Sequence, residues 1–238
     1  MHHNYLDRFA SLGSPIHRLD PRIKVISLFA FVLTVVITPA TSFYAFFAYF
    51  CLIMAIVFLS DLPLSFVFKR SLVIIPFSLM VGLFNLFFKP PIVFINMMVK
   101  SWLSVLAIVT LSSTTPFNVL LSALEALKVP HIIIDILSFM YRYVFTLIDR
   151  VMKMERARVS RSYGRLGLKQ MSAVGNMLGS LFINTYERGE RIYMAMVSRG
   201  FDGQVLGRTH FVLTVYDAVF LGYMVTALLL IRIMVVRW

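Results

Sequence analysis

Cysteine and charge are scarce in this 238-residue sequence, and acidic residues are scarcer than basic ones. The single cysteine, Cys51, excludes an internal disulfide and a metal cluster built from several thiolates. Charged residues make up 14% and hydrophobic residues 59% of the chain, whereas soluble domains average about 25% and about 45–50%. These proportions argue against a soluble globule and exclude disordered and collagen-like chains.

The shortage of acidic residues leaves a net charge of +12, from 23 Lys and Arg against 11 Asp and Glu. A basic protein can bind nucleic acid, but here the basic residues lie between long apolar stretches. That distribution is typical of a membrane protein with basic cytoplasmic loops. The sequence therefore predicts a lipid bilayer as the surroundings and no nucleic acid as a partner.

Long uncharged runs indicate helices that cross the bilayer. Residues 25–60 carry no charge, and one helix of that length would measure about 54 Å against a hydrocarbon core of about 30 Å. The run must fold back, and Pro39 marks the turn because it removes a hydrogen-bond donor. Five spans are predicted near residues 23–37, 43–59, 71–88, 92–111 and 218–236, with a polar connection at 61–70 and a kink at Pro76. Lys100 interrupts the apolar run of the fourth span and is expected to snorkel to the far interface or to face protein.

Between the fourth and fifth spans, charge returns and the apolar residues become periodic, which predicts cytoplasmic helices. Thr115 and Pro116 predict a helix start with Thr115 as its cap, and two longer helices are predicted over 131–161 and 171–198. The fold class is therefore an all-α integral membrane protein with about five transmembrane helices. Its predicted domains are an N-terminal tail with four spans at 1–113, a cytoplasmic helical domain at 114–208 and the last span at 209–238.

Most basic residues fall on the side of the N-terminus and of this cytoplasmic domain. Because Lys and Arg are enriched in cytoplasmic loops, that side is predicted to be cytoplasmic. The N-terminus is then inside and the C-terminus outside. Asp217, at the start of the last span, is interpreted as a helix-capping residue at the interface, although an acid near a membrane can also be functional.

The two long cytoplasmic helices end in similar sequences. Arg161 lies between Ser160 and Ser162, and Arg199 lies between Ser198 and Gly200. An aromatic residue follows each arginine closely, and in the second helix it is Phe201. An arginine offers five donors in a planar fork, so two such tips suggest two docking sites for a two-fold partner. The alternative is that Gly200 caps its helix and Arg199 favours the C-terminal dipole.

Several segments together carry a family resemblance. Residues 14–24 read Ser-Pro-Ile-His-Arg-Leu-Asp-Pro-Arg-Ile-Lys, residues 115–117 read Thr-Pro-Phe, residues 141–143 read Tyr-Arg-Tyr, and Arg191 to Met196 precede the second tip. With the two tips, these segments resemble the transmembrane T component of energy-coupling factor (ECF) transporters, in the cobalt-type CbiQ/EcfT family. The chain departs from the family pattern at Ser162, where glycine is usual, and at Ser160 and Ser198, where alanine is common.

The resemblance implies a function and a set of partners. Two ABC-type ATPase subunits would dock on the tips, and their motion would pass to a separate substrate-binding membrane subunit. The chain would be a non-catalytic subunit of a cobalt importer in a bacterial or archaeal cytoplasmic membrane, with no cofactor of its own because ATP binds the partner subunits. The alternatives are a T component for nickel or a vitamin, or an integral-membrane enzyme. The residues implied are Ser160, Arg161, Ser162, Ser198, Arg199, Gly200 and Phe201 for ATPase docking, and Tyr141, Arg142, Arg191 and Met196 for support of the coupling helices.

Other candidate sites have simpler interpretations. His2 and His3 are taken as a solvated tail rather than a metal site, because two adjacent histidines lack convergent ligands. The glycines around Lys169 do not have the spacing of a phosphate-binding loop. Gly175 and Gly179 are interpreted as a close helix-packing pair. Glu155, Glu187 and Glu190 alternate with arginines and predict ion pairs within their helices.

Overall fold

A computed structural model describes residues 13–39, 42–86, 90–161, 168–201 and 213–237. Within these ranges the chain forms nine helices and no strand. The chain divides into two compact units, residues 1–128 with 209–238, and residues 129–208. The helices are α1 (Pro21–Ile37), α2 (Phe43–Leu59), α3 (Leu64–Ser71), α4 (Ile74–Leu86), α5 (Pro91–Thr114), α6 (Phe117–Ala126), α7 (His131–Arg161), α8 (Leu168–Val197) and α9 (Val215–Arg237).

The first unit holds α1 to α6 and α9, and α5 lies at its centre. The central helix packs against α1, α2, α3 and α4, while α9 packs against α1 and α2. Helix α6 packs on α1 and belongs to this unit. The predicted domain boundary at residue 114 therefore precedes α6, whereas the compact unit continues through Lys128.

Helices α1 and α2 reproduce the first two predicted apolar helices. The side chain of Asp20 accepts a hydrogen bond from the backbone of Arg22 at the start of α1. Between the helices, the Thr38 hydroxyl lies 3.2 Å from the phenolic oxygen of Tyr49. Tyr49 is fully buried and meets Phe31 edge to face at 5.7 Å between ring centroids. This pair fixes the hairpin because both rings lie in the core of the unit.

The third predicted span, near 71–88, corresponds to α4, but the connection predicted before it is wrong. Residues 64–71 form α3, so the predicted polar connection at 61–70 is helical over most of its length. The helix breaks at Leu72 and Val73 rather than at Pro76 itself. Pro76 lacks an N–H and its ring crowds the carbonyl four residues earlier, that of Leu72. The backbone N–H of Ile75 bonds that carbonyl instead, at 3.0 Å.

Helix α5 is continuous through Lys100, in agreement with a single fourth span in which this lysine interrupts only the apolar run. The Lys100 ammonium donates to the backbone oxygen of Val36 at 2.7 Å, which places it against the last turn of α1. A cation there neutralises the negative end of a helix dipole. The indole N–H of Trp102, further along α5, donates to the Ser71 hydroxyl at 3.2 Å and so joins α5 to α3.

Four described segments are long and apolar enough to cross a membrane, namely 64–84, which joins α3 to α4, and 91–114, 131–161 and 215–235. Helices α1 and α2 have 17 residues each and are shorter than these four segments. The segment at 131–161 is α7, which the sequence analysis places in the cytoplasm. The molecule is thus an all-α membrane protein, and the five-span topology remains a prediction.

Gly82 allows α4 and α5 to approach closely. A Cβ atom added there would lie 2.5 Å from the Phe94 ring, closer than van der Waals contact permits. A Cβ at Gly222 in α9 would meet nothing within 4 Å.

We expect Gly82→Ala to lower the thermal unfolding midpoint of the detergent-purified protein, because overpacking costs about 1–3 kcal/mol. Gly222→Ala is the matched control. It should leave the midpoint unchanged or raise it, since alanine favours a helix over glycine by about 1 kcal/mol. Adding Phe94→Ala to the Gly82 variant should restore part of the loss. An equal midpoint for the two glycine variants would contradict the close contact.

Candidate functional site

The end of α7 presents Ser160 and Arg161 to the outside of the second unit. Both residues are exposed, and the Ser160 hydroxyl donates to the backbone oxygen of Ala157 at 3.0 Å. Arg161 is the last residue of α7. Ser162 lies outside the described residues, so this tip is described up to its arginine.

The end of α8 has a defined capping geometry. Gly200 adopts a φ of +84°, which residues with a side chain rarely adopt. The N–H of Gly200 bonds the carbonyl of Val197, and the N–H of Phe201 bonds the carbonyl of Met196, both at 3.0 Å. These two bonds form a Schellman motif with Gly200 as its left-handed residue. The capping role foreseen for Gly200 is therefore confirmed.

Capping and docking are compatible at this tip. The Schellman bonds use backbone groups only, so the side chains of Ser198 and Arg199 take no part in them. Ser198, Arg199 and Gly200 are exposed, and Phe201 is half-buried. Within the described ranges, neither Arg161 nor Arg199 forms an ion pair. Each long helix thus ends in a surface arginine whose guanidinium is available to a partner.

Helices α7 and α8 pack against each other around an apolar cavity of about 280 Å³. On α8, the lining residues recur three and four apart, which places them on one helix face. That spacing could have identified this face from the sequence. The lining residues are Phe139, Tyr143, Thr146, Leu147, Thr185, Arg188, Gly189, Ile192, Tyr193 and Met196.

Of the four residues implied as helix supports, Met196 lines this cavity. Tyr141 instead meets Phe145 edge to face at 5.3 Å within α7. Arg142 lies over the ring of its neighbour Tyr143, with 6.0 Å from its guanidinium carbon to the ring centroid. The fourth support, Arg191, pairs along α8 and is described below. Tyr143 lines the cavity, and the resemblance did not assign it a supporting role.

The two arginine tips lie at different distances from the cavity. At a rise of about 1.5 Å per residue, Arg161 lies about 21 Å beyond Leu147 along α7. Arg199 lies about 5 Å beyond Met196, since it follows that residue by three positions. Arg199 therefore lies close to the contact between α7 and α8, whereas Arg161 lies far from it.

Ion pairs within the helices are confirmed for two of the three glutamates. Arg158 contacts Glu155 at 2.6 Å, and Arg191 contacts Glu187 at 3.5 Å. The hydrogen bond from Arg158 lowers the pKa of the Glu155 carboxyl below its ordinary value. Both pairs stay within one helix, so they stabilise α7 and α8 rather than join them.

Asp217 lies in the first turn of α9, and its carboxylate accepts a hydrogen bond from the backbone of Thr214 at 2.8 Å, which confirms the capping role.

The close packing predicted at Gly175 and Gly179 is wrong within this chain, because an added Cβ on either would meet nothing within 4 Å. The contact of α8 with α7 lies further along the helix.

Metal binding is not supported by the described part of the chain, where no group of three His, Cys, Asp or Glu side chains could hold an ion. His2 and His3 lie outside the described residues. The glycine-rich stretch before Lys169 also lies outside them.

Comparisons with known proteins agree with the resemblance. A family model described as CbiQ, cobalt transport protein, matches residues 13–211. An uncharacterized protein of Methanocaldococcus jannaschii is 29% identical over 95% of this chain and 86% of its own length. The energy-coupling factor transporter transmembrane protein EcfT of Bacillus subtilis is 29% identical over 83% of this chain and 84% of its own length. EcfT of Leuconostoc gelidum is 30% identical over 86% of each chain.

Proposed function

Since the chain belongs to the CbiQ/EcfT family of ECF transporter transmembrane components, we propose that it is the energy-coupling subunit of a cobalt importer. In this proposal, two ABC-type ATPase subunits dock on the ends of α7 and α8. ATP-driven closure of the ATPases displaces the two helices. The displacement passes to a substrate-binding membrane subunit beside this chain. In this proposal, the chain described here binds no substrate and hydrolyses no ATP.

The observation that carries the proposal is the pair of exposed arginines, Arg161 and Arg199, at the C-terminal ends of two long helices. Helices of about thirty residues are rods of about 45 Å, long enough to transmit a displacement. A guanidinium at the end of such a rod can form bidentate bonds with carboxylates and bonds with carbonyl oxygens of a partner. The Schellman motif at Gly200 supports this role because it fixes the backbone from which Arg199 projects.

The choice of cobalt rests on the family description and on the resemblance of residues 14–24. We propose that ion selectivity resides in the substrate-binding subunit, so the same coupling chain would also suit nickel or a vitamin. A transport assay with competing substrates would therefore identify which substrate the complex carries.

Reconstitution into proteoliposomes tests the proposal. The purified chain alone should hydrolyse no ATP and bind no cobalt tightly. The chain assembled with two ABC ATPases and a substrate-binding subunit should take up cobalt(II) when ATP is supplied. Uptake of nickel or a vitamin in place of cobalt would correct the substrate but keep the coupling role. ATP hydrolysis by the isolated chain, or micromolar cobalt binding lost on replacing His2 and His3, would contradict the proposal.

A further inference from the structure

A buried polar cluster lies where three helix ends of the first unit meet. Its charged members are Asp20, Lys24 and Asp217, with exposed fractions of 6%, 5% and 3%. Charged side chains are rarely buried to this degree unless paired or hydrogen-bonded. Burying this cluster therefore costs free energy that its hydrogen bonds must offset. Those hydrogen bonds show which helix ends the cluster holds together.

Lys24 holds the end of α5. Its ammonium group donates to the backbone oxygen of Thr114 at 3.3 Å and to the hydroxyl of Thr115 at 3.4 Å. It also donates to the backbone oxygen of His17 at 3.2 Å. All three ammonium protons are thus used. Thr115, predicted as the cap of α6, instead serves as an acceptor for Lys24, and Pro116 takes the cap position.

Asp217 holds the starts of two helices. One carboxylate oxygen accepts from the backbone N–H of Thr214, just before α9, at 2.8 Å. The other accepts from the backbone N–H of Asp20, just before α1, at 2.7 Å. The N-termini of α1 and α9 are therefore joined through one buried side chain. Its negative charge also suits the positive ends of both helix dipoles.

The cluster holds two helix ends of the first unit, one on the way to residues 129–208 and one on the way back. The chain leaves the first unit after Lys128, thirteen residues beyond Thr115, and returns to it at residue 209, shortly before Thr214. Lys24 holds the end of α5, after which the chain continues through α6 before it leaves the unit, and Asp217 holds the start of α9, where the chain has returned. Both anchor on the first turn of α1, because Asp20 and Lys24 lie one helical turn apart.

We infer that Asp20, Lys24 and Asp217 form a clasp that transmits displacement of the 129–208 unit to α1, α5 and α9. The inference rests on the proposed coupling function and names the residues that connect the moving part to the transmembrane helices. Apolar packing has no directional bonds. Buried charged groups lose directional bonds as soon as they separate, so the end of α5 and the start of α9 are each held to the start of α1.

The test compares substrate transported per ATP hydrolysed in the reconstituted complex. Lys24→Met keeps the length of the side chain but removes all three bonds. We expect the variant complex to assemble and hydrolyse ATP while cobalt(II) uptake per ATP falls by about tenfold. That factor corresponds to about 1.4 kcal/mol of lost coupling.

Lys100→Met is the matched control. It also removes a lysine that bonds a carbonyl of a neighbouring helix, at the other end of α1, but this lysine lies away from both connections. Uptake per ATP should stay at the wild-type value. An unchanged ratio in Lys24→Met, or an equal loss in both lysine variants, would overturn the clasp.

Milder variants keep the inference testable if Lys24→Met fails to accumulate. Asp217→Asn preserves the shape, but its amide nitrogen cannot accept, so one of the N–H groups of Asp20 and Thr214 loses its acceptor. Thr115→Val removes one acceptor of Lys24. Each should lower uptake per ATP by about fivefold, since each removes one bond and that factor corresponds to about 1 kcal/mol. Wild-type ratios in both variants would overturn the clasp.

Failure of the proposed function gives a different result. If the wild-type chain neither binds ATPases nor supports ATP-driven uptake of any substrate, the coupling function itself is wrong. If the wild-type complex transports and the clasp variants transport equally well, the coupling function stands and the clasp alone is wrong.

Discussion

Replacing both Arg161 and Arg199 with alanine should abolish co-purification of the ATPase subunits and all ATP-driven uptake. Truncating an arginine held by charge-assisted bonds at an interface costs about 2–5 kcal/mol, in part because the partner group is left unpaired. Each 1.4 kcal/mol corresponds to about tenfold in affinity. Two such losses remove both attachment points of the ATPase pair, so no complex should survive purification.

Each single arginine variant should retain part of the interaction. One remaining tip holds its ATPase and keeps the other subunit at a high effective concentration. Charge reversal by Arg199→Glu should be more severe than Arg199→Ala if the partner surface is acidic, because repulsion is added to the lost bonds. Both effects can be measured as the fraction of ATPase recovered with the tagged membrane chain.

Arg156→Ala is the control for a general loss of positive charge. Arg156 is exposed on α7 and donates to the backbone oxygen of Met152 within its own helix, so its removal leaves both tips intact. Full ATPase recovery and full uptake in the double tip variant would show that the two ends are helix caps only. Equal losses in the Arg156 variant and the double tip variant would indicate a nonspecific charge effect.

Cysteine labelling should show that Ser42 faces the outside and Ser198 the cytoplasm. Both serines can be changed to cysteine with little change in volume, in a Cys51→Ala background that removes the exposed native thiol. Ser42 precedes α2 and makes no side-chain cap bond, while Ser198 lies in the exposed tip of α8. A membrane-impermeant maleimide added to intact cells should label Ser42→Cys fully and Ser198→Cys only after lysis.

This experiment also decides the position of α7, which is long and apolar enough to span a membrane. The apolar character of α7 is concentrated in residues 131–148, and charged residues crowd the rest of the helix. If α7 crosses the bilayer, the tip of α8 lies outside and Ser198→Cys is labelled in intact cells. That result would overturn both the five-span topology and cytoplasmic docking at Arg199.

The hydrogen bonds of the first unit agree with the predicted topology. Lys24 joins the start of α1 to the end of α5, and Asp217 joins the start of α9 to the start of α1. These three helix ends therefore lie at one end of the unit. The five-span topology places the same three ends on the cytoplasmic side, where the basic residues are also concentrated.

Helices that depend on local sequence rules were predictable with good precision. The second span agrees with α2 at both ends, and the long helix at 131–161 agrees with α7. An apolar run, a proline or a glycine acts on its own segment, so the bounds of these helices follow from neighbouring residues. The Schellman motif at Gly200 belongs to the same class, because its bonds span five residues or fewer.

The sequence by itself thus determined the membrane class, most helices and the two arginine tips. Tertiary structure alone decided the partners of the buried charges: Lys24 bonds Thr114, 90 residues away, and Asp217 bonds Asp20, 197 residues away. It also decided that Lys100 bonds the end of α1 and that Thr115 accepts from Lys24 rather than capping α6. Such pairs depend on which helix ends meet after packing, and hydrophobic patterning specifies which face of a helix is buried but not which distant end it meets.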